Sequence, residues 1–245
     1  MNKESRYKID LHTHTIASGH AYNTIDEMVK AARKKGLTHL GITEHAPKLP
    51  GTCQDFYFHN LKVVPRKRKN LELLLGCEAN IINYEGKVDL AEWVLKEMDV
   101  VIASMHIPCV KPGSMEENTN AYIKAMQNPF INIIGHPDDG RYPVDYEKIV
   151  KAAKETHTLL EVNNNSLRPS GPRKDTRAND AVILKLCMEH DVMVVFGSDA
   201  HVKEDIGNFG MVEDVVKEVH FPERLIANVS IERLTGYLNR YRQPV

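Results

Sequence analysis

The chain is short of the residues that mark several familiar protein classes. Only four of its 245 residues are cysteine. Cys53, Cys77, Cys109 and Cys187 stand far apart with no C-x-x-C pair, which argues against a thiolate zinc site and gives no disulfide framework. Charge of one sign is lacking too. With 32 basic and 33 acidic residues the formal net charge is -1, so no global attraction to nucleic acid or an anionic membrane is implied. No apolar run approaches the length that spans a bilayer, and the opening "MNKESRYKID" has no apolar signal-peptide core. No internal repeat, low-complexity tract or Gly/Ser-rich linker divides the chain. The expectation is a soluble protein of a reducing cytoplasm, with one domain over 1–245 and a substantial core.

What the sequence does have is an alternation of two patterns. "YKIDLHTH", "LTHLGITEH", "ELLLGCEANII", "DVVIASMHIP", "INIIGHP", "TLLEVNNNS" and "DVMVVFGSDAH" are seven short apolar runs of strand character. Helical patterns lie among them: "NTIDEMVKAARKKG", with Thr24 and Glu27 at capping-box spacing and Gly36 closing it, then "DLAEWVLKEM", "TNAYIKAMQ", "DYEKIVKAAKETH" and "DTRANDAVILKLCMEH". Strands alternating with helices predict parallel pairing with covering helices. Two segments break the pattern. "APKLPGTCQDFYFHNLKVVPRKRKN" reads as a long loop with a short helix, and "NNNSLRPSGPRKDTR" as an irregular flap. The tail "SIERLTGYLNRYRQPV" is expected to form a last helix packed on the body.

The apolar runs end, at their C-terminal sides, in residues that bind metals or substrates. These are His12 and His14, Glu44 and His45, Glu78, His106, His136, Asn163 to Asn165, then Asp199 and His201. In parallel α/β folds the loops leaving the C-terminal strand ends share one face, so these residues converge there. Imidazole and carboxylate together suit zinc, manganese or iron, whereas calcium and magnesium prefer oxygen alone. Six candidate histidines are too many for one tetrahedral ion, so two or three ions with a bridging carboxylate are expected. Sites of that kind hydrolyse phosphate esters, using water activated by one ion while neighbours stabilise the oxyanions.

"DLHTHT", "GITEHA", "GCEANI", "MH", "GHP" and "GSDAH", in that order, resemble the polymerase and histidinol phosphatase (PHP) family of metal-dependent phosphoesterases. Within it "ASGHAY", "GCEANI", "EVNNNS" and "FPERLIANVS" look most like the YcdX-type phosphatases. The resemblance implies a distorted seven-stranded (β/α)7 TIM-like barrel with three divalent transition-metal ions, zinc first and manganese or iron as alternatives. It implies that His12 and His14 bind one ion with Glu78 and Asp199, that Glu78 bridges to a second held by His106 and His136, and that His20, His45 and His201 hold a third. The substrate implied is a small phosphorylated molecule. A nuclease acting on short nucleic acid and a histidinol-phosphate phosphatase are the alternatives within the family, and self-association is compatible with either.

The second motif departs from the common "TDH" of the family, with Glu44 where an aspartate is usual. An orienting role behind a ligand histidine suits the extra methylene, and Asp10 is a candidate for similar work. Arg168, Arg173, Lys174 and Arg177 read as solvated loop residues before they read as phosphate contacts, and "PRKRKN" as a charged surface before a nucleic-acid patch. His39 reads as a strand residue, and His59, His157, His190 and His220 as surface positions.

Overall fold

The computed structural model describes residues 6–242. In chain order the first half holds β1 (Ile9–Asp10), α1 (Ile25–Lys34), β2 (His39–His45), α2 (Asp55–Asn60), β3 (Lys67–Arg68), β4 (Leu71–Asn80), α3 (Glu92–Leu95) and β5 (Val100–Ser104). The second half holds α4 (Met115–Met126), β6 (Ile133–Ile134), α5 (Tyr146–Thr156), β7 (Leu159–Asn163), α6 (Thr176–His190), β8 (Val194–Gly197) and α7 (Gly210–Glu218). Seven strands run parallel in the order β1-β2-β4-β5-β6-β7-β8, and β3 pairs antiparallel with β4. All seven expected strands are present, and together they make a nearly closed, TIM-like barrel with helices outside it.

Two apolar clusters follow from the two-residue period of the strands. Side chains such as Leu73, Leu75 and Cys77 of β4 face outward into the large core beneath the helices. Leu74 faces inward with Ile9, Val100, Ile102, Ile133, Leu159 and Val195. This inner layer fills one end of the barrel and leaves the carboxyl ends of the strands for polar groups. The tail closes the filled end: Ala227, Leu234 and Leu238 are fully buried against that layer. The helix expected over 230–245 is therefore corrected to a 3-10 turn at Ile231–Arg233 followed by further turns up to residue 242. The spacing of Ile231, Leu234 and Leu238 mimics a helical stripe, but these side chains serve as a plug. Residues 243–245 of the expected helix lie outside the described residues.

The expected capping box at α1 is present, with Glu27 N–H donating to Thr24 Oγ1 and Glu27 Oε2 accepting from Thr24 N. A second box, Ser114 with Glu117, starts α4 earlier than the sequence pattern suggested. Helix α7 was not expected. It has no side-chain cap of its own, and Asn164 supplies one from across the chain: its Oδ1 accepts from Met211 N and Val212 N at 3.0 and 3.3 Å.

The seam between β1 and β8 is closed by side chains instead of a full ladder. Asn228 is wholly buried and acts as a substitute strand residue, with Oδ1 accepting from Phe196 N at 2.7 Å and Nδ2 donating to Ile9 O and Phe196 O. Higher up, Asp10 accepts from Ser198 Oγ at 2.5 Å, from Ser198 N and from Gly207 N. A parallel bridge between Thr13 and Ala200 continues the seam toward the open end. Replacing Asn228 by alanine strands three buried backbone groups, each worth about 1 kcal/mol or more. The Asn228→Ala variant is expected to lose about 3 kcal/mol and to melt roughly 6–12 °C lower, measured by thermal unfolding.

Candidate metal centre

At the carboxyl end of the barrel one carboxylate collects five imidazoles. Glu78 is 1 % exposed near the end of β4. Its Oε2 faces His45 Nδ1 at 2.7 Å, His12 Nε2 at 3.3 Å and His14 Nε2 at 3.5 Å. Its Oε1 faces His136 Nε2 at 3.0 Å and His106 Nε2 at 3.3 Å. The two oxygens of one side chain thus look toward two groups of histidines. Asp199 joins from the other side, its Oδ1 lying 3.4 Å from His14 Nε2, 3.5 Å from His201 Nδ1 and 3.8 Å from His12 Nε2.

The ligand atoms of His12, His14 and Asp199 lie within 4.8 Å of one another, as do those of His45, Glu78 and His106, and those of His14, His45 and His201. His20 stands at the exposed rim, its ring 4.8 Å from His45 and 4.9 Å from His201. All nine sequence-expected positions therefore meet in one cluster. The groups are less separate than the resemblance implied, since His14 and His45 stack at 4.1 Å and each belongs to more than one. His12 and His14 also lie just beyond β1, not within it.

Whether these residues fit metal ions is decided by the atoms they leave unsatisfied. His12 Nε2, His14 Nε2, His45 Nδ1, His106 Nε2 and Glu78 Oε2 are all buried and face one another without a well-aligned hydrogen bond. Buried polar atoms are normally paired, and five such atoms converging on one spot form a donor set that could hold metal ions. The residues fit, and the histidine-rich set with two carboxylates suits zinc or a similar transition metal.

The electrostatics agree with a site built to gather cations. Burial disfavours the charged forms of Glu78 and Asp199, but the surrounding imidazoles outweigh it and hold both carboxyls well below the usual range. Burial and the neighbouring His45 and His201 push His14 well below the ordinary imidazole value, and the same causes bring His20 down to about 4. At neutral pH both are uncharged and able to donate a lone pair. At His12 burial is opposed by Glu161, Glu78 and Asp199, which raise its pKa well above the usual value.

A second layer orients the ligands. Glu161 Oε1 lies 2.6 Å from His12 Nδ1, while Oε2 accepts from His136 N at 2.8 Å and Asn163 Nδ2 at 3.0 Å. A side chain at Gly197 would collide with that Glu161 carboxylate, so glycine is required there. Asn80 Oδ1 accepts from His106 Nδ1 at 2.7 Å. Two of the candidate ligands, His136 and Asp199, hold positive φ of 32° and 52°, backbone conformations that cost energy and cluster at functional sites.

Glu44 explains the departure in the second motif. It is wholly buried and accepts from Thr15 N, from Thr15 Oγ1 at 2.5 Å and from Ser18 Oγ at 2.5 Å. Ser18 Oγ in turn lies 3.3 Å from His14 Nδ1 and accepts from His45 N at 3.0 Å. The acid therefore holds the turn over Ile16–Ser18, on which His14 depends and which leads to His20. Asp10 plays the corresponding part at the seam, tying the "DLHTH" segment to Ser198 beside Asp199.

Sequence reasoning missed Glu161, whose signal was a lone acid inside an apolar buried strand. Arg173 corrects a second reading. It is not a solvated loop residue: its side chain is 13 % exposed, and its Nη1 donates to Ser166 Oγ at 2.9 Å and to Asp199 Oδ2 at 3.2 Å. Arg168 pairs with Asp205, and Arg177 pairs with Glu218 at the surface. Asn163 and Asn165 reach Asp199, whereas Asn164 caps α7. His59 and His190 pair with Glu97 and Glu147, His157 stacks on Tyr237, and none of them joins the cluster. Lys67 and Arg68 of "PRKRKN" form β3.

A family model described as "PHP domain" matches residues 10–167. The chain belongs to the PHP domain family. This PHP chain is 46 % identical over 233 residues to a protein of Clostridium novyi named "Probable phosphatase", covering 95 % of both chains. It is 47 % identical to one of the same name from Caldicellulosiruptor saccharolyticus, covering 94 % of this chain and 95 % of that one. Among solved structures, histidinol phosphate phosphatase from Lactococcus lactis, complexed with zinc, L-histidinol and phosphate, superimposes with a TM-score of 0.60 at 18 % identity. That match covers 88 % of this PHP chain and 95 % of the other, and shows a shared fold. No helix among the described residues is long and apolar enough to cross a membrane.

If Glu44 holds the ligand turn, shortening it should loosen metal. Glu44→Ala is expected to lower metal affinity about 10- to 100-fold, read as metal content after dialysis against a graded chelator series.

Proposed function

We propose that this PHP protein is a metal-dependent phosphatase that hydrolyses small phosphomonoesters at a three-ion centre, with zinc as the resident metal. The ligand sets are His12, His14, Glu78 and Asp199; Glu78, His106 and His136; and His20, His45 and His201. The observation that carries the reading is the ring of buried, unpartnered ligand atoms around Glu78, whose two oxygens face different histidine groups. The relatives named "Probable phosphatase" support it across almost the full chain. Divalent ions held there would supply a nucleophile from water near neutral pH and offset charge on phosphoryl oxygens.

The chain's own residues prepare the reaction. Glu161 Oε1 accepts a hydrogen bond from His12 Nδ1, so that a metal ion taking the place of the Nε2 proton would meet that nitrogen already aimed at the centre. Arg173 stays cationic because Asp199, Asp138 and Glu78 outweigh its burial, and it lines the cleft over the ligands. Its guanidinium, fixed by Ser166 and Asp199, presents its remaining N–H edge to an incoming phosphate. Glu161 Oε2 holds His136 N and Arg173 holds Asp199, so both positive-φ residues are fixed in place before binding. A cleft of about 490 Å³ opens above the cluster, walled in part by Leu49, Pro50, Ile107 and Pro108. That size and apolar rim suit a small organic phosphate better than a nucleic-acid strand.

Metal analysis of the purified protein, joined to assays on phosphomonoesters, a phosphodiester and single-stranded DNA, tests the proposal. About three transition-metal ions per chain with monoester turnover are expected. Protein that stays inactive after zinc or manganese reconstitution, or that cleaves only the diester, contradicts it. The Glu78→Gln variant is expected to lose activity by about 100-fold or more.

A further inference from the structure

Among the described residues, one charged side chain lining the cleft above the metal cluster makes no direct bond to the proposed ligands. Arg173 and Asn165 also line it, but both donate to Asp199 and so belong to the metal end. Arg141 does not. Its guanidinium is locked in a two-pronged pair with Asp139, Nε to Oδ1 at 2.9 Å and Nη2 to Oδ2 at 2.6 Å. Asp139 is 1 % exposed and also accepts from Arg141 N, so the arginine is fixed at both its backbone and its side chain. Among the described residues no acceptor is bonded to Arg141 Nη1, and the side chain is 24 % exposed on the cleft wall.

A guanidinium braced by a buried carboxylate, with its outer edge free in a cleft, is a preorganised receptor for a planar or tetrahedral anion. The alternative is a structural ion pair that happens to border the cleft. The free Nη1 and the surroundings favour the receptor. Ile107, Pro108, Leu49 and Pro50 offer only apolar surface, so an organic body lying over them meets Arg141 as its one polar partner outside the metal end. We infer that Arg141 is a specificity residue that binds a second anionic group of the substrate, a carboxylate or a further phosphate, while the scissile phosphate sits at the metal end. This inference rests on the phosphatase reading and narrows it to phosphomonoesters with a second negative charge.

The test uses the metal-loaded protein and matched ligands. Binding of propylphosphonate, phosphonopropionate and propylene bisphosphonate is measured by calorimetry, and kcat/KM is measured for propyl phosphate and its carboxylate- and phosphate-tailed counterparts. A charge-assisted hydrogen bond predicts that one or both tailed ligands are favoured about tenfold or more, and the two tails distinguish carboxylate from phosphate. Arg141→Met, and the double variant Asp139→Asn with Arg141→Met that avoids an unpaired buried charge, should collapse this ratio. Arg141→Lys should restore part of it. Equal affinity for tailed and untailed ligands overturns the inference and leaves the phosphatase reading standing. So does an Arg141→Met variant in which all substrates fall by the same factor, which assigns the arginine to the scissile phosphate. Absence of turnover on every ester overturns both.

Discussion

Glu78 lies 1 % exposed with the imidazoles of five histidines turned toward its two oxygens. So many titratable groups out of water are tolerable only where opposite charges and hydrogen bonds compensate their desolvation. The protein itself supplies part of that compensation, and divalent cations are the natural source of the rest. Everything near the centre follows from this. A carboxylate placed between two groups of histidines can bridge two ions, and β4, buried along almost its whole length, holds it there without exposing it.

The barrel is arranged to protect that geometry. One end is packed with aliphatic side chains and plugged by Leu234 and Leu238, so the polar cluster has a rigid floor. At the seam, where the first and last strands meet, Asn228 and Asp10 do what a continuous ladder does elsewhere. Asp10 matters doubly, because it joins the segment bearing His12 and His14 to the turn bearing Asp199. Glu161 and Glu44 have parallel tasks. Among the described residues each is a buried acid with no lysine or arginine ion pair, and each gathers backbone or hydroxyl donors that position the candidate ligand histidines.

Much of this was legible in the sequence. The seven strands showed as apolar runs because strands covered on both faces carry little polar interruption, and the ligands showed because they stand where those runs stop. The parallel topology then implied their convergence. Helix α7 was not legible, since its stronger cap comes from Asn164, distant in sequence, and Asn208 just before it makes only a long bond to Gly210 N. The tail misled because Ile231, Leu234 and Leu238 have helical spacing while packing through 3-10 turns. Arg173 was hidden in a stretch of prolines and charges whose composition describes a solvated loop. Only the folded arrangement turns it back over Asp199. Glu161 was present as a plain clue, an acid within "LLEVN", that a search confined to strand ends passes over.

Anomalous diffraction from crystals of the metal-loaded protein tests the bridging role of Glu78. Three anomalous peaks are expected at the carboxyl end of the barrel, with Glu78 Oε1 and Oε2 bound to different ions. A single peak, or both Glu78 oxygens on one ion, would contradict it.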